Sequence, residues 1–228
     1  MMNVIAFNGS PRKKGNTATL LENALAGAKN GSAKTALVHL YDLTFKGCIS
    51  CFACKKIGGK HHGRCAQKDE LSPILDRAAE ADLLILGSPI YFFTETAMMR
   101  SFMERLIYPY LSYTPGYASL FPRKIHTGLV YTMNLTAEQM PVYGQDKSVA
   151  ASRWWLAHIF GHCEVLNCFD TQQFNDYSKY LSTAFDADAK VKRRQEIFPK
   201  DCLRAYEFGR NLIAINPTIE DEHGADRP

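Results

Sequence analysis

At 228 residues, with 46% hydrophobic and 22% charged side chains, the chain can bury a sizeable core and is too apolar for a disordered one. Its net charge of +4 is modest, and with no nucleic-acid reading motif in view it argues against nucleic acid as a partner. No apolar run nears the roughly 20 residues that cross a bilayer, and no basic and apolar leader opens the chain. A cytoplasmic protein with no membrane partner is expected.

Taken in order, Val4 to Asn8 reads as a short strand ending in a Gly-bearing turn. The next helix carries Leu20, Leu21, Ala24, Leu25 and Ala28 on one face. Ala36 to Leu40 is a second strand, followed by an irregular Cys-rich loop over 46–69 and a helix from Leu71 to Ala81. Leu83 to Gly87 is uninterruptedly apolar, the pattern of a parallel strand buried on both faces. Met99, Phe102, Met103 and Leu106 then mark a helix. His126 to Met133 and Glu164 to Phe169 are the last two strands, with a helix from Ser148 to Gly161 between them. A loop-plus-helix insertion over 170–198 precedes a final helix opened by Pro199, and a polar tail over 217–228 is expected to fray. Five strands alternating with helices predict an α/β fold with a doubly wound parallel sheet, as one domain over 1–228.

In such a sheet, ligands gather beyond the carboxyl ends of the strands. The loop Gly9-Ser10-Pro11-Arg12-Lys13-Lys14-Gly15-Asn16-Thr17 follows the first strand and is suited to an anion. Gly9 and Gly15 permit close backbone approach, Ser10 and Thr17 offer hydroxyls, Asn16 an amide, and Arg12 a charge. The helix starting near Asn16 aims its free N–H groups at the same place. Neither the Walker spacing nor Gly-x-Gly-x-x-Gly is present. After the third strand, Ser88-Pro89-Ile90-Tyr91-Phe92-Phe93-Thr94 offers a flat apolar wall, and Met133-Asn134 should reach the same edge from the fourth.

Cys48, Cys51, Cys54 and Cys65 fall within 18 residues, while Cys163, Cys168 and Cys202 are scattered. With no export signal in view, a disulfide framework is not expected. Thiols three residues apart suit the corners of a 4Fe-4S cluster, with Cys65 as a fourth ligand. A zinc site and free thiols remain open as alternatives. His61 and His62 read as surface residues, and the three scattered cysteines as buried core thiols.

The loop Asn8 to Thr17 resembles the phosphate loop of the NADPH-dependent FMN reductase and iron-sulfur flavoprotein branch of the flavodoxin-like superfamily. The resemblance extends through Pro89-Ile90-Tyr91 to Asn175-Asp176-Tyr177-Ser178-Lys179-Tyr180 and Phe198-Pro199-Lys200-Asp201-Cys202. It implies the strand order 2-1-3-4-5 and FMN as cofactor. Ser10, Arg12, Lys14, Gly15, Asn16 and Thr17 would then take the phosphate end, and Pro89, Ile90, Tyr91, Phe92, Phe93, Met133 and Asn134 the ring. It also implies NAD(P)H as co-substrate, hydride or electron transfer to a small-molecule acceptor or redox partner, and a homodimer or homotetramer. The iron-sulfur flavoproteins carry a similar Cys-x2-Cys-x2-Cys group at this place. That likeness implies an alternative role, an electron carrier exchanging with a ferredoxin-like protein. The ten residues between Cys54 and Cys65 exceed the usual gap.

Overall fold

A computed structural model describes residues 1–214, so the expected tail over 217–228 lies outside the described residues. Five parallel strands form the sheet: β1 Asn3–Asn8, β2 Lys34–His39, β3 Leu83–Tyr91, β5 Ile125–Thr132 and β6 Gly161–Cys168. Their order is β2-β1-β3-β5-β6, the expected flavodoxin-like order when parallel strands alone are counted. The five-stranded expectation needs one correction. A two-residue strand, β4 Thr94–Glu95, pairs antiparallel with the end of β3. β3 therefore runs on through Ser88 to Tyr91, where sequence placed a loop.

Side chains alternate across the sheet as a strand requires. Val4, Ala6, Leu83, Ile85 and Val130 face α1 (Asn16–Asn30) and α7 (Phe198–Ala214). Ile5, Phe7, Leu84, Leu86, Leu129 and Tyr131 face α2 (Ser72–Glu80), α3 (Ala97–Ile107) and α5 (Gln145–Phe160). A short α4, Gln139–Val142, precedes α5. The insertion holds α6, Ala187–Glu196, capped by the Asp186 carboxylate, which accepts from the amides of Asp188 and Ala189.

α1 and α7 cross at backbone contact because both are glycine at the crossing. A Cβ on Gly27 would lie 1.9 Å from the Tyr206 carbonyl oxygen, and one on Gly209 would lie 1.8 Å from that of Ala24. A mid-helix Gly→Ala change ordinarily gains up to about 1 kcal/mol. At this crossing the overlap wins, because forcing atoms into a packed interior costs about 1–3 kcal/mol and here backbone must move. Gly209→Ala is therefore expected to lower the urea unfolding midpoint; an equal or higher midpoint would mean that the helices are not packed this closely.

Candidate functional site

Two structural glycines bring the first loop onto β3. The Gly9 amide donates to the Gly87 carbonyl (2.8 Å), and a Cβ on Gly9 would lie 2.8 Å from that of Met99. Within the loop the Asn8 side-chain oxygen accepts from the Ser10 amide (3.0 Å), and the Ser10 hydroxyl accepts from the Arg12 amide (3.1 Å). Gly15 heads α1 and has no side chain to cap it, so the first-turn amides remain available to an anion. Thr17 is buried and shares a 2.8 Å hydrogen bond with Thr132 on β5. Thr96, unremarked in the sequence, ties the two loops together. Its hydroxyl donates to the Gly9 carbonyl (2.7 Å) and caps α3 by accepting from the Met99 amide (3.2 Å).

These elements enclose an open cavity of about 780 Å³ at the carboxyl edge of the sheet. That volume lies within the roughly 300–1,000 Å³ typical of small-molecule sites. Ser10, Arg12, Lys14, Gly15, Asn16 and Thr17 line one side, and Pro89, Ile90, Tyr91, Met133 and Asn134 line another. Phe92 and Phe93 are not among the lining residues. They occupy the turn between β3 and β4, where both have positive φ, and Phe92 is 98% exposed. Phe93 stacks instead on Tyr143, with ring centroids 5.8 Å apart.

The outer wall was not read from sequence as part of the site. It is the strap 171–176 after β6, with Lys179, Tyr180 and, from α6, Arg194. Arg12 donates to the Gln173 carbonyl, Asn16 donates to that of Gln172 (2.9 Å), and Arg194 donates to the Asn16 side-chain oxygen (2.7 Å). Buried Lys190 pairs with Asp170 and donates to the Asn134 side chain (2.5 Å). The only hint in sequence was the motif Asn175 to Tyr180, to which no role had been attached.

Cys48, Cys51, Cys54 and Cys65 line a second, narrow cavity together with Phe52, Arg105 and Tyr108, and His61 and His62 lie outside it. Among the described residues, no three His, Cys, Asp or Glu side chains gather closely enough to hold one metal ion. That spacing disfavours a zinc ion. The space that the four cysteines share is about 20 Å³. Burial pushes the Cys54 thiol up, and the neighbouring Lys55 ammonium opposes it in part. Of the scattered cysteines, Cys163 and Cys168 are buried with thiols pushed up to about 12 by burial. Cys202 is only half-buried, a departure from expectation.

The cysteine loop hangs on α3. Arg105, its side chain fully buried, pairs with Asp69 and donates to the Lys46 carbonyl (3.1 Å) and to the Cys65 sulfur (3.3 Å). Glu104 accepts from the Cys48 amide (2.9 Å). Lys55 donates to the carbonyls of Tyr108, Pro109 and Leu111.

Sheet order and cavity define a flavodoxin-like protein with its principal cavity at the switch point of the sheet. The sequence profile of the NADPH-dependent FMN reductases matches residues 2–136, and the chain belongs to that family. An iron-sulfur flavoprotein of Methanocaldococcus jannaschii is 38% identical over 104 residues, 46% of this chain and 51% of the relative. The chain thus spans about half the length of the curated relatives it matches. An NAD(P)H:quinone oxidoreductase from Methanothermobacter marburgensis superposes with a TM-score of 0.69 at 16% identity, covering 94% of this chain and 98% of that one. An FMN-dependent NADH-azoreductase of Bacillus anthracis, solved with FMN, gives a TM-score of 0.64 at 13% identity over 93% and 99%. No described helix is long and apolar enough to cross a membrane.

Burial opposes the charge on Asp69, but hydrogen bonding and attraction from Arg105 outweigh it and hold the carboxyl below its ordinary value. A lowered carboxylate contributes stability above the unfolded value of about 4 and loses it as pH falls through the folded value. Asp69→Asn leaves a buried guanidinium uncompensated and should cost about 3–5 kcal/mol at neutral pH. In urea unfolding, the gap between wild type and variant should narrow as pH drops below about 4; a gap independent of pH would refute the pairing.

Proposed function

We propose that the chain is an FMN-dependent oxidoreductase that passes hydride or electrons, supplied by NAD(P)H, to a small-molecule acceptor or a redox partner. The observation that carries this reading is the cavity where the anion loop, Pro89-Ile90-Tyr91 and Met133-Asn134 converge. The residues fit the cofactor. The hydroxyls of Ser10 and Thr17, the Asn16 amide and the free first-turn amides match a phosphate, and Arg12, Lys14 and Arg194 balance its charge. Pro89, Ile90 and Tyr91 supply the apolar wall for a planar ring, and Asn134 adds a polar contact at its edge. Bound FMN supplies a ring nitrogen able to exchange hydride or single electrons. The protein's share is to orient that ring and limit access of water. The strap 171–176 closes the phosphate side, leaving the side toward Tyr91 for co-substrate and acceptor.

The cysteine loop is assigned a 4Fe-4S cluster held by Cys48, Cys51, Cys54 and Cys65, supported by the spacing of the first three thiols and by two cations, Lys55 and Arg105, beside them. Charge favours a second reading for the reaction partner. The stretch 46–68 carries six Lys and Arg residues and no Asp or Glu, so the rest of the chain has a net charge of −2. A basic surface around the cysteines suits electron exchange with an acidic one-electron carrier of ferredoxin type. The exposed aromatics Phe92, Phe93 and Tyr143 near the cavity favour assembly as a homodimer or homotetramer.

Ser10→Ala with Arg12→Ala removes two charge-assisted contacts worth about 1.5–3 kcal/mol each, so FMN affinity should fall at least about a hundredfold in a fluorescence titration. Unchanged retention of FMN would show the loop to be misassigned. Anaerobically purified protein should contain about four irons and matching acid-labile sulfide per chain, and Cys54→Ser should lose them while keeping FMN. Iron-free protein after anaerobic reconstitution would leave the cysteines as thiols.

A further inference from the structure

The turn Tyr91-Phe92-Phe93-Thr94 is strained. Phe92 and Phe93 have φ of 50° and 64°, the two positive values that define a type I′ turn. Such turns favour Asn and Gly, and a bulky side chain is disfavoured in this region. Strain of this kind persists only where the surroundings over-determine it. Burial of the rings does not do so here, since Phe92 is almost fully exposed.

The restraint is polar and lies one residue further on. Glu95 is 3% exposed, and its carboxylate is surrounded by donors from three other elements. One oxygen accepts from the hydroxyls of Tyr131 on β5 (2.5 Å) and Ser152 on α5 (2.7 Å). The other accepts from Thr94 in the same hairpin (2.9 Å) and from Arg100 on α3 (3.4 Å). Burial works against the charge, and the hydroxyls of Ser152 and Tyr131 outweigh it, holding the carboxyl below its usual range. Glu95 faces Ile90 in the β3–β4 ladder, and Thr94 faces Tyr91. Ile90 and Tyr91 line the large cavity, whereas Glu95 does not.

We propose that Glu95 is a positioning residue for the flavin ring: its carboxylate clasps the strained hairpin to β5, α3 and α5 and thereby sets the place of Ile90 and Tyr91. The consequence for the ring rests on the FMN reading above; the clasp itself does not. A side chain that only added stability would leave the environment of the ring unaltered, whereas a clasp alters it when loosened.

The test is Glu95→Gln, which keeps the shape but turns one acceptor oxygen into a donor facing Thr94 and Arg100. Amide hydrogen exchange over 90–95 should quicken by about tenfold or more, the factor expected from losing bonds to a charged group, while β1 stays unchanged. Bound FMN should show an altered visible circular dichroism band and a shifted midpoint potential. Replacing Phe92-Phe93 by Asn-Gly in the Glu95→Gln background should restore slow exchange, because the turn is then relaxed without the clasp. Unchanged exchange over 90–95 would overturn the proposal. So would a wild-type flavin spectrum and potential in the variant, even with a lowered melting temperature. If wild type takes up no FMN, the function above falls, and the clasp is decided by exchange alone.

Discussion

The contact between the first loop and the third strand is the constraint on which the site depends. Gly9 touches Gly87 and Met99 at distances that leave no room for a side chain, and its amide is bonded to the strand it touches. The loop that turns toward α1 therefore sits directly on the strand that continues into the Pro89–Tyr91 wall. Thr96 repeats the link from the other side through the Gly9 carbonyl. Two segments 78 residues apart in sequence are thus held in one geometry by a backbone hydrogen bond, the Thr96 hydroxyl and close packing. Neither requires a charged side chain, so the polar groups of Ser10, Arg12 and Asn16 are not needed to hold the loops together.

α3 extends that frame to the cysteines. Its first turn is capped by Thr96, its middle packs Met99, Phe102 and Met103 under the sheet, and its last turns carry Glu104 and Arg105 into the cysteine loop. One helix of 11 residues thereby joins the β3–β4 hairpin at one end to the cysteine cavity at the other. Its buried guanidinium acts on a loop of irregular backbone, with Ser50 and Phe52 at positive φ. Polar anchoring substitutes there for a core, which is why one buried ion pair matters more in this loop than an exposed pair would.

The sheet was legible because each signal is local. The run Leu83 to Leu86 and the short strand Val4 to Asn8 depend on nothing distant. The loop from Gly9 to Thr17 was legible for the same reason. Phe92 and Phe93 misled because aromatic character was taken to imply an inward wall, while the short antiparallel strand beyond them reverses the chain and turns them away from the cavity. Arg194 was invisible as a site residue because its partner, Asn16, is 178 positions away, and nothing local in the sequence signals that contact. Cys202 was read by habit of residue type; its place on α7 leaves one side open.

The cavity is built from segments on both sides of the point where the family match ends. Residues 2–136 supply the loop Gly9 to Thr17, the hairpin and the end of β5. The strap and Arg194 lie beyond that span, yet they close the same cavity. Their placement depends on α7 returning against α1, which the paired glycines Gly27 and Gly209 permit, and on Arg193 pairing with Asp201 to fasten α6 to α7. The wall facing the first loop is therefore fixed by helix packing on the opposite face of the sheet from α3. A change in that packing would move Gln172, Gln173 and Arg194 relative to Arg12 and Asn16 while leaving the hairpin and the cysteine loop in place. The two ends of the cavity are thus held by separate layers of the protein.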